Sequence, residues 1–248
     1  MESSTNSIAI KSIHSTLDPG QLFEKLNAQF DFPKSSHCKY FFRGSNDIYK
    51  IYTPEEDYFL RLSNHGTRTE QEILDEIEFL NHWQQTSVGV AQPIPNKNGT
   101  YVLPVEAAEG TRFLTLFQEA KGQSLATPSP AQLRKIGIEL GKLHLRSNRF
   151  PLKPNFPFYD LNYCLTQSSR NICVFLRQRS EIREHCLAFQ SLSLDIKKRL
   201  SKFPLESFSW GPIHGDFIHG NFKMNSEGEI SVYDFERIGY GWRAYEIA

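Results

Sequence analysis

The chain has 248 residues, 39% of them apolar, with 28 Lys+Arg set against 28 Asp+Glu. The apolar share is enough for a sizeable core and excludes a chain disordered throughout. The zero net charge argues against a general electrostatic binder of nucleic acid or membrane surfaces.

No apolar run approaches the ~18 residues of a membrane-spanning helix. The opening MESSTNSIAIKSIHS lacks a basic region followed by a long apolar one, so no signal peptide is expected and the cytoplasm is the expected location. Cys38, Cys164, Cys173 and Cys186 form no CxxC pair and no zinc-ligand spacing, so they read as reduced thiols.

Taken in chain order, the first roughly 14 residues are polar and expected to fray. Asp18 to Phe30 predicts an amphipathic helix, with Leu22, Phe23, Leu26 and Phe30 at helical spacing. Tyr40–Phe42, Ile48–Tyr52 and Tyr58–Leu62 predict an antiparallel meander, punctuated by turns at Gly44–Asp47 and Thr53–Asp57. Thr69 and Glu72 form a capping box for a helix with an Ile73, Ile77, Leu80, Trp83 stripe, ended by Val88-Gly89. Turn signals at Asn98-Gly99 and Glu109-Gly110 separate strands at Tyr101–Leu103 and Phe113–Phe117. The N-terminal half thus predicts about five strands with one helix inserted after the third. From Gln118 the texture changes to a polar connector. Ser129 as N-cap and Pro130 at the first helical position then open a helix whose apolar face is Leu133, Ile136, Leu140 and Leu143. The chain reads as mostly helical until Trp210, where a short strand-and-turn region begins.

That last region carries the chemistry. His214-Gly215-Asp216-Phe217-Ile218-His219-Gly220-Asn221 fits H-x-D-x-x-x-x-N. The residues from Phe222 to Tyr233 divide into strand, turn and strand, a hairpin that would return Asp234 to the neighbourhood of Asp216 and Asn221. A lone His-x-Asp is more often a turn held by Asp and Asn hydrogen bonds; the joint spacing decides otherwise here. Phosphoryl transfer needs positioning and charge neutralisation. Asp216 is placed to orient an acceptor hydroxyl and take its proton, and Asn221 and Asp234 are hard oxygen ligands of the kind Mg2+ accepts beside phosphate. His214 is expected to brace the loop. His219 could face substrate or fill the loop, and both readings stay open.

These residues, with Val232 to Glu236 and Tyr240 to Ala248, resemble the aminoglycoside phosphotransferase and choline kinase-like family of small-molecule kinases. Gly215 stands where that family has glycine and protein kinases have arginine. The resemblance covers roughly residues 35 to 248, with its specific motifs from 214 on. It implies an α+β, protein kinase-like two-lobed fold: an N-terminal lobe of antiparallel sheet plus helix (1–117), a hinge (118–123) and a mainly helical C-terminal catalytic lobe (124–248). It also implies ATP and Mg2+ as cofactors and a small hydroxyl-bearing acceptor such as an aminoglycoside, amino alcohol, homoserine or sugar. Asp216 becomes the catalytic base, and Asn221 and Asp234 the metal ligands. Gly44 and Ser45 resemble the turn that covers phosphate. Arg61 resembles the cation that grips it, replacing the lysine of protein kinases, and Glu76 resembles the glutamate that holds the cation, with Glu72 and Glu78 as rivals. Glu119 falls in the adenine-reading hinge, and the Leu140–His144 motif resembles a packing element. Family members usually continue beyond the position of Ala248 with helices that complete the acceptor pocket, so the chain is expected to be truncated. An active kinase is the preferred reading, ahead of a nucleotide-binding pseudokinase. A protein kinase is disfavoured because no Ala-Pro-Glu follows Glu236.

Overall fold

The computed structural model describes residues 12–83, 89–151, 153–206 and 209–247. The chain divides into two units, Met1–Ala120 and Lys121–Ala248.

The first unit contains α1 (Pro19–Phe30), β1 (His37–Arg43), β2 (Asn46–Tyr52), β3 (Tyr58–Ser63), α2 (Glu70–Trp83), β4 (Gly89–Val90), β5 (Pro93–Ile94), β6 (Leu103–Ala107) and β7 (Gly110–Gln118). Its sheet runs β1-β2-β3-β7, all antiparallel. The far edge of β7 is shared by β5, opposite Leu116 and Phe117, and β6, opposite Gly110 to Leu114. Asn46 and Asp47, expected in the turn, instead open β2, and the strand expected at Tyr101 begins at Leu103. Strands are expected to return between Val90 and Phe117, but the two-residue pieces β4 and β5 are too short to leave a periodic pattern of their own.

Asp18 starts α1 by accepting from the Gln21 N–H (2.8 Å), and Asp31 ends it in the left-handed conformation. Leu22 and Leu26 pack against Tyr49, Ile51, Leu60, Leu62, Leu114 and Leu116. Because successive strand residues face opposite ways, Arg61 and Phe113 lie on the other face of the sheet. Phe113 meets the cluster of Ile73, Ile77 and Val102, which docks α2 there. Thr69 and Glu72 close the expected capping box (Thr69 N to Glu72 Oε2, 2.7 Å; Glu72 N to Thr69 Oγ1, 3.3 Å). Val88, one of the residues expected to end α2, lies outside the described residues. Residues 1–11 of the tail expected to fray also lie outside them, but Ser12 and His14 are engaged. Ser12 Oγ donates to His14 O (3.0 Å), and His14 Nε2 lies 3.2 Å from Asp47 Oδ2.

The second unit contains α3 (Pro130–Ser147), β8 (Phe158–Tyr159), a π-helical turn (Asn162–Gln167), α4 (Ser168–Arg177), α5 (His185–Leu200), β9 (Trp210–Ile213), β10 (Phe222–Met224), β11 (Ile230–Val232) and β12 (Gly239–Trp242). Short 3-10 helices occupy Phe235–Arg237 and Arg243–Glu246. α3 opens with a full capping box between Ser129 and Gln132. Ile136, Leu140 and Leu143 are buried on its inner face, but Leu133 is 54% exposed, so the expected apolar stripe is one residue too long. β12 pairs antiparallel with β9 and parallel with β8. β8 breaks the helical run expected from Phe158. Among the described residues no helix is long and apolar enough to cross a membrane. Cys38, Cys164, Cys173 and Cys186 are thiols, as expected.

Candidate active site

In the first unit, Arg61 on β3 faces α2 and donates a parallel pair of hydrogen bonds to Glu76: Nη1 to Oε1 at 2.9 Å and Nη2 to Oε2 at 2.8 Å. Its guanidinium also lies 4.8 Å from the Phe117 ring centroid. Arg68 adds a second cation, with Nη1 donating to Glu76 Oε2 (2.5 Å) and Nη2 to Glu72 O (2.9 Å). Glu76 is wholly buried. Burial alone would raise its pKa; Arg61 and then Arg68 outweigh that and hold the carboxyl below the usual carboxylate range. Two guanidiniums thus gather on one carboxylate, and positive charge is the sign a phosphate requires. Of the rival glutamates, Glu72 is committed to the helix cap and Glu78 is exposed.

Gly44 and Ser45 form the β1–β2 turn. The Gly44 N–H donates to Asn46 O (2.9 Å), and Asn64 Nδ2 donates to Ser45 O (2.6 Å). The Glu119 side chain pairs with Lys50 (2.9 Å), which also meets Asp57 (3.0 Å), and the Glu119 N–H is committed to Asp57 O (3.2 Å). Gly44, Ser45 and Glu119 therefore occupy other stretches of the unit than the Arg61–Glu76 pair.

In the second unit, the His214–Asn221 loop links β9 to β10, and the β10–β11 hairpin returns the chain with Phe222 opposite Val232. His214 is wholly buried. Its Nδ1 accepts the Asp216 N–H (3.2 Å) and its Nε2 lies 3.0 Å from Tyr233 O. An amide can only donate and a carbonyl only accept, so the ring is the neutral Nε2–H tautomer. His214 thus braces the loop against the strand that leads to Asp234. Asn221 Nδ2 donates to both Asp216 O (2.8 Å) and Asp216 Oδ2 (3.1 Å), and Asn221 O accepts the Tyr233 N–H (2.9 Å). Asp234 follows in the left-handed conformation (φ 64°), an uncommon state for a non-glycine residue and one that concentrates at functional sites. The hairpin therefore pins the residue before Asp234 to both His214 and Asn221, which is the return the sequence spacing anticipates.

Gly215 explains its own identity. It has φ +81°, and a Cβ there would sit 2.0 Å from Arg237 O. Its N–H donates to Glu246 Oε1 (2.9 Å), and Glu246 Oε2 meets His144 Nε2 (2.5 Å). Arg243 donates to His144 O (2.9 Å) and to Asn148 Oδ1. The Leu140–His144 motif thus reaches the loop through Glu246. Sequence reasoning missed Arg68 and Glu246. Arg68 precedes the helix cap and carries no periodic signal, and Glu246 lies 31 residues from the glycine it holds.

The phosphotransferase enzyme family matches residues 42–248. The chain belongs to that family. An uncharacterized protein of Synechocystis sp. is 34% identical over 241 residues, covering 97% of this chain and 66% of that protein. Two solved structures share the kinase-like fold. A microcompartment-associated aminopropanol kinase gives a TM-score of 0.74 at 21% identity, over 92% of this chain and 72% of that one. The amicoumacin kinase hAmiN, in complex with AMP-PNP, Ca2+ and Ami, gives 0.71 at 19% identity, over 93% and 67%. The chain spans just under two-thirds of the Synechocystis relative's length. The family match bears out the phosphotransferase-family resemblance, and these two folds bear out the α+β, kinase-like fold class.

Proposed function

We propose that this family member is an ATP- and Mg2+-dependent kinase that phosphorylates a hydroxyl of a small molecule. The observation that supports the reading is the Asp216–Asn221 clamp, to which Tyr233, the residue before Asp234, is hydrogen-bonded through Asn221 O. Asp216 is the base. One of its carboxylate oxygens is held by Asn221 and the other takes the acceptor's hydroxyl proton. The acceptor oxygen then bonds to the γ-phosphorus as the bond from that phosphorus to the β–γ bridging oxygen breaks, and ADP leaves.

The donor set suits a hard cation. Asp234 supplies a carboxylate, and Asn221, whose Nδ2 is committed to Asp216, presents its amide oxygen. Among the described residues no three His, Cys, Asp or Glu side chains gather as a metal site of their own, so remaining ligands would come from phosphate and water. Bound there, Mg2+ supplies neutralisation of phosphate charge. In the first unit, Arg61 grips α- and β-phosphate oxygens, Glu76 fixes its fork, Gly44 and Ser45 offer backbone to phosphate, and the stretch around Glu119 in a 118–123 hinge reads the base. The aminopropanol and amicoumacin kinases of like fold support a small hydroxyl-bearing acceptor.

The test is ADP release by the full chain with Mg·ATP over a panel of amino alcohols, aminoglycosides, homoserine and sugars. Turnover with one acceptor is expected, and Asp216→Asn should lower kcat about 100-fold or more with little change in the KM for ATP. A variant as fast as the native chain would remove Asp216 from its role. Nucleotide binding without transfer to any acceptor would favour the pseudokinase reading.

A further inference from the structure

Arg112 on β7 is wholly buried, and the phosphate chemistry above does not use it. Its Nε donates to Ser63 O (2.7 Å). Nη1 donates to Ser15 O (2.9 Å) and reaches Glu109 Oε1 (3.4 Å). Nη2 donates to Asp47 Oδ2 (2.8 Å) and reaches Leu62 O (3.3 Å) and Asn64 Oδ1 (3.4 Å). Asp47, equally buried, also takes Arg43 Nε (2.9 Å).

These partners are the segments that carry the nucleotide residues. Asp47 is two residues past Ser45. Leu62 and Ser63 directly follow Arg61. Asn64 joins Arg112 to the turn itself, because its Nδ2 holds Ser45 O at 2.6 Å. The β2–β3 ladder ends here, with Asn46 opposite Ser63 and Asp47 opposite Leu62. A buried ion cluster is weak ground for stability, since well-packed apolar residues often replace one without loss. Fixing backbone at the mouth of a turn is what a rigid five-donor fork does and an apolar side chain cannot.

We propose that Arg112 is a positioning residue that sets the Gly44–Ser45 turn and the Arg61 end of β3 for phosphate, acting through Asp47 and Asn64. It rests on reading the first unit as the nucleotide-binding part. Arg112 touches no reacting atom. It holds the turn's carbonyl through Asn64 and the strand after the cation through two further carbonyls, so the two phosphate contacts keep one spacing.

The test is calorimetric titration of Mg·AMP-PNP into the full chain, with a melting temperature for every variant. Asn64→Ala removes the link between Arg112 and Ser45 and should weaken binding about five- to tenfold, near the upper range of one hydrogen bond's net contribution. Asn96→Ala is the control in the same unit. Asn96 Oδ1 accepts from Asn98 N and Thr100 N (2.9 Å each), so its loss should lower the melting temperature and leave binding unchanged. Native binding by folded Asn64→Ala, or equal weakening by both variants, would overturn the proposal. Should Asn64→Ala not fold, Arg112→Lys decides. It keeps the charge but loses the fork, and weakened binding is expected where native binding would refute. A native chain that binds no Mg·AMP-PNP would refute the nucleotide reading itself, and this proposal with it.

Discussion

Glu76→Gln is the sharpest probe of the cation cluster. The native carboxylate is wholly buried and accepts three charge-assisted hydrogen bonds, at 2.9, 2.8 and 2.5 Å. The amide removes the charge and offers one acceptor oxygen, leaving Arg61 and Arg68 facing each other. Breaking a buried pair from one side costs about 3–5 kcal/mol. The two arginine side chains keep 9% and 16% of their exposure, so water offsets part of the loss and the lower end, about 3 kcal/mol, applies. For a chain of this size that is a fall in Tm of roughly 6–12 °C. Glu70→Gln, an exposed first-turn charge on the same helix, should cost less than about 1 kcal/mol. The sign with pH follows from Glu76's lowered pKa. Its contribution is present above the unfolded value, about 4.3, and is lost as pH falls through the folded value. Thermal melts of both variants should therefore show a wide gap at neutral pH that closes in acid. A Glu76→Gln melt matching Glu70→Gln, or a gap that persists unchanged in strong acid, would refute the reasoning.

Two further outcomes concern the His214–Asn221 loop. Gly215→Ala places a Cβ 2.0 Å from Arg237 O at a left-handed φ; the strain costs about 1–3 kcal/mol. The displaced loop should lose on the order of 100-fold in kcat, read from steady-state rates beside a melt, and native turnover would show that the loop tolerates the shift. Glu246→Ala leaves the Gly215 N–H and His144 without their partner. It should cost about 3 kcal/mol and lower kcat more than it raises the KM for ATP.

The elements that sequence made legible are those with local chemistry of their own. Thr69/Glu72 and Ser129/Pro130 announce helix starts because the signal lies within the first turn. The His214–Asn221 loop is legible because its spacing is set by one turn and one hairpin. The Arg61–Glu76 pair is suggested only by the family resemblance; helix placement alone leaves Glu72 and Glu78 as rivals, and the contact itself singles out Glu76. What stayed hidden depends on contacts distant in sequence. Glu246 and His144 meet across 102 positions, and Arg112 and Asp47 across 65. β8 owes its existence to a parallel pairing with β12, about eighty residues later, and nothing in Phe158-Tyr159 itself signals it. The exposure of Leu133 was equally out of reach, since periodicity reports a stripe and not what covers each end of it.

Asp234 and Asn221 are proposed to serve a magnesium nucleotide. Calorimetric titration of ATP into the full chain, with and without Mg2+ and beside Asp234→Asn, tests that role most directly. Mg2+-dependent binding is expected in the native chain and should be lost or sharply weakened in the variant while both remain folded. Binding that ignores Mg2+, or that survives unchanged in Asp234→Asn, would contradict it.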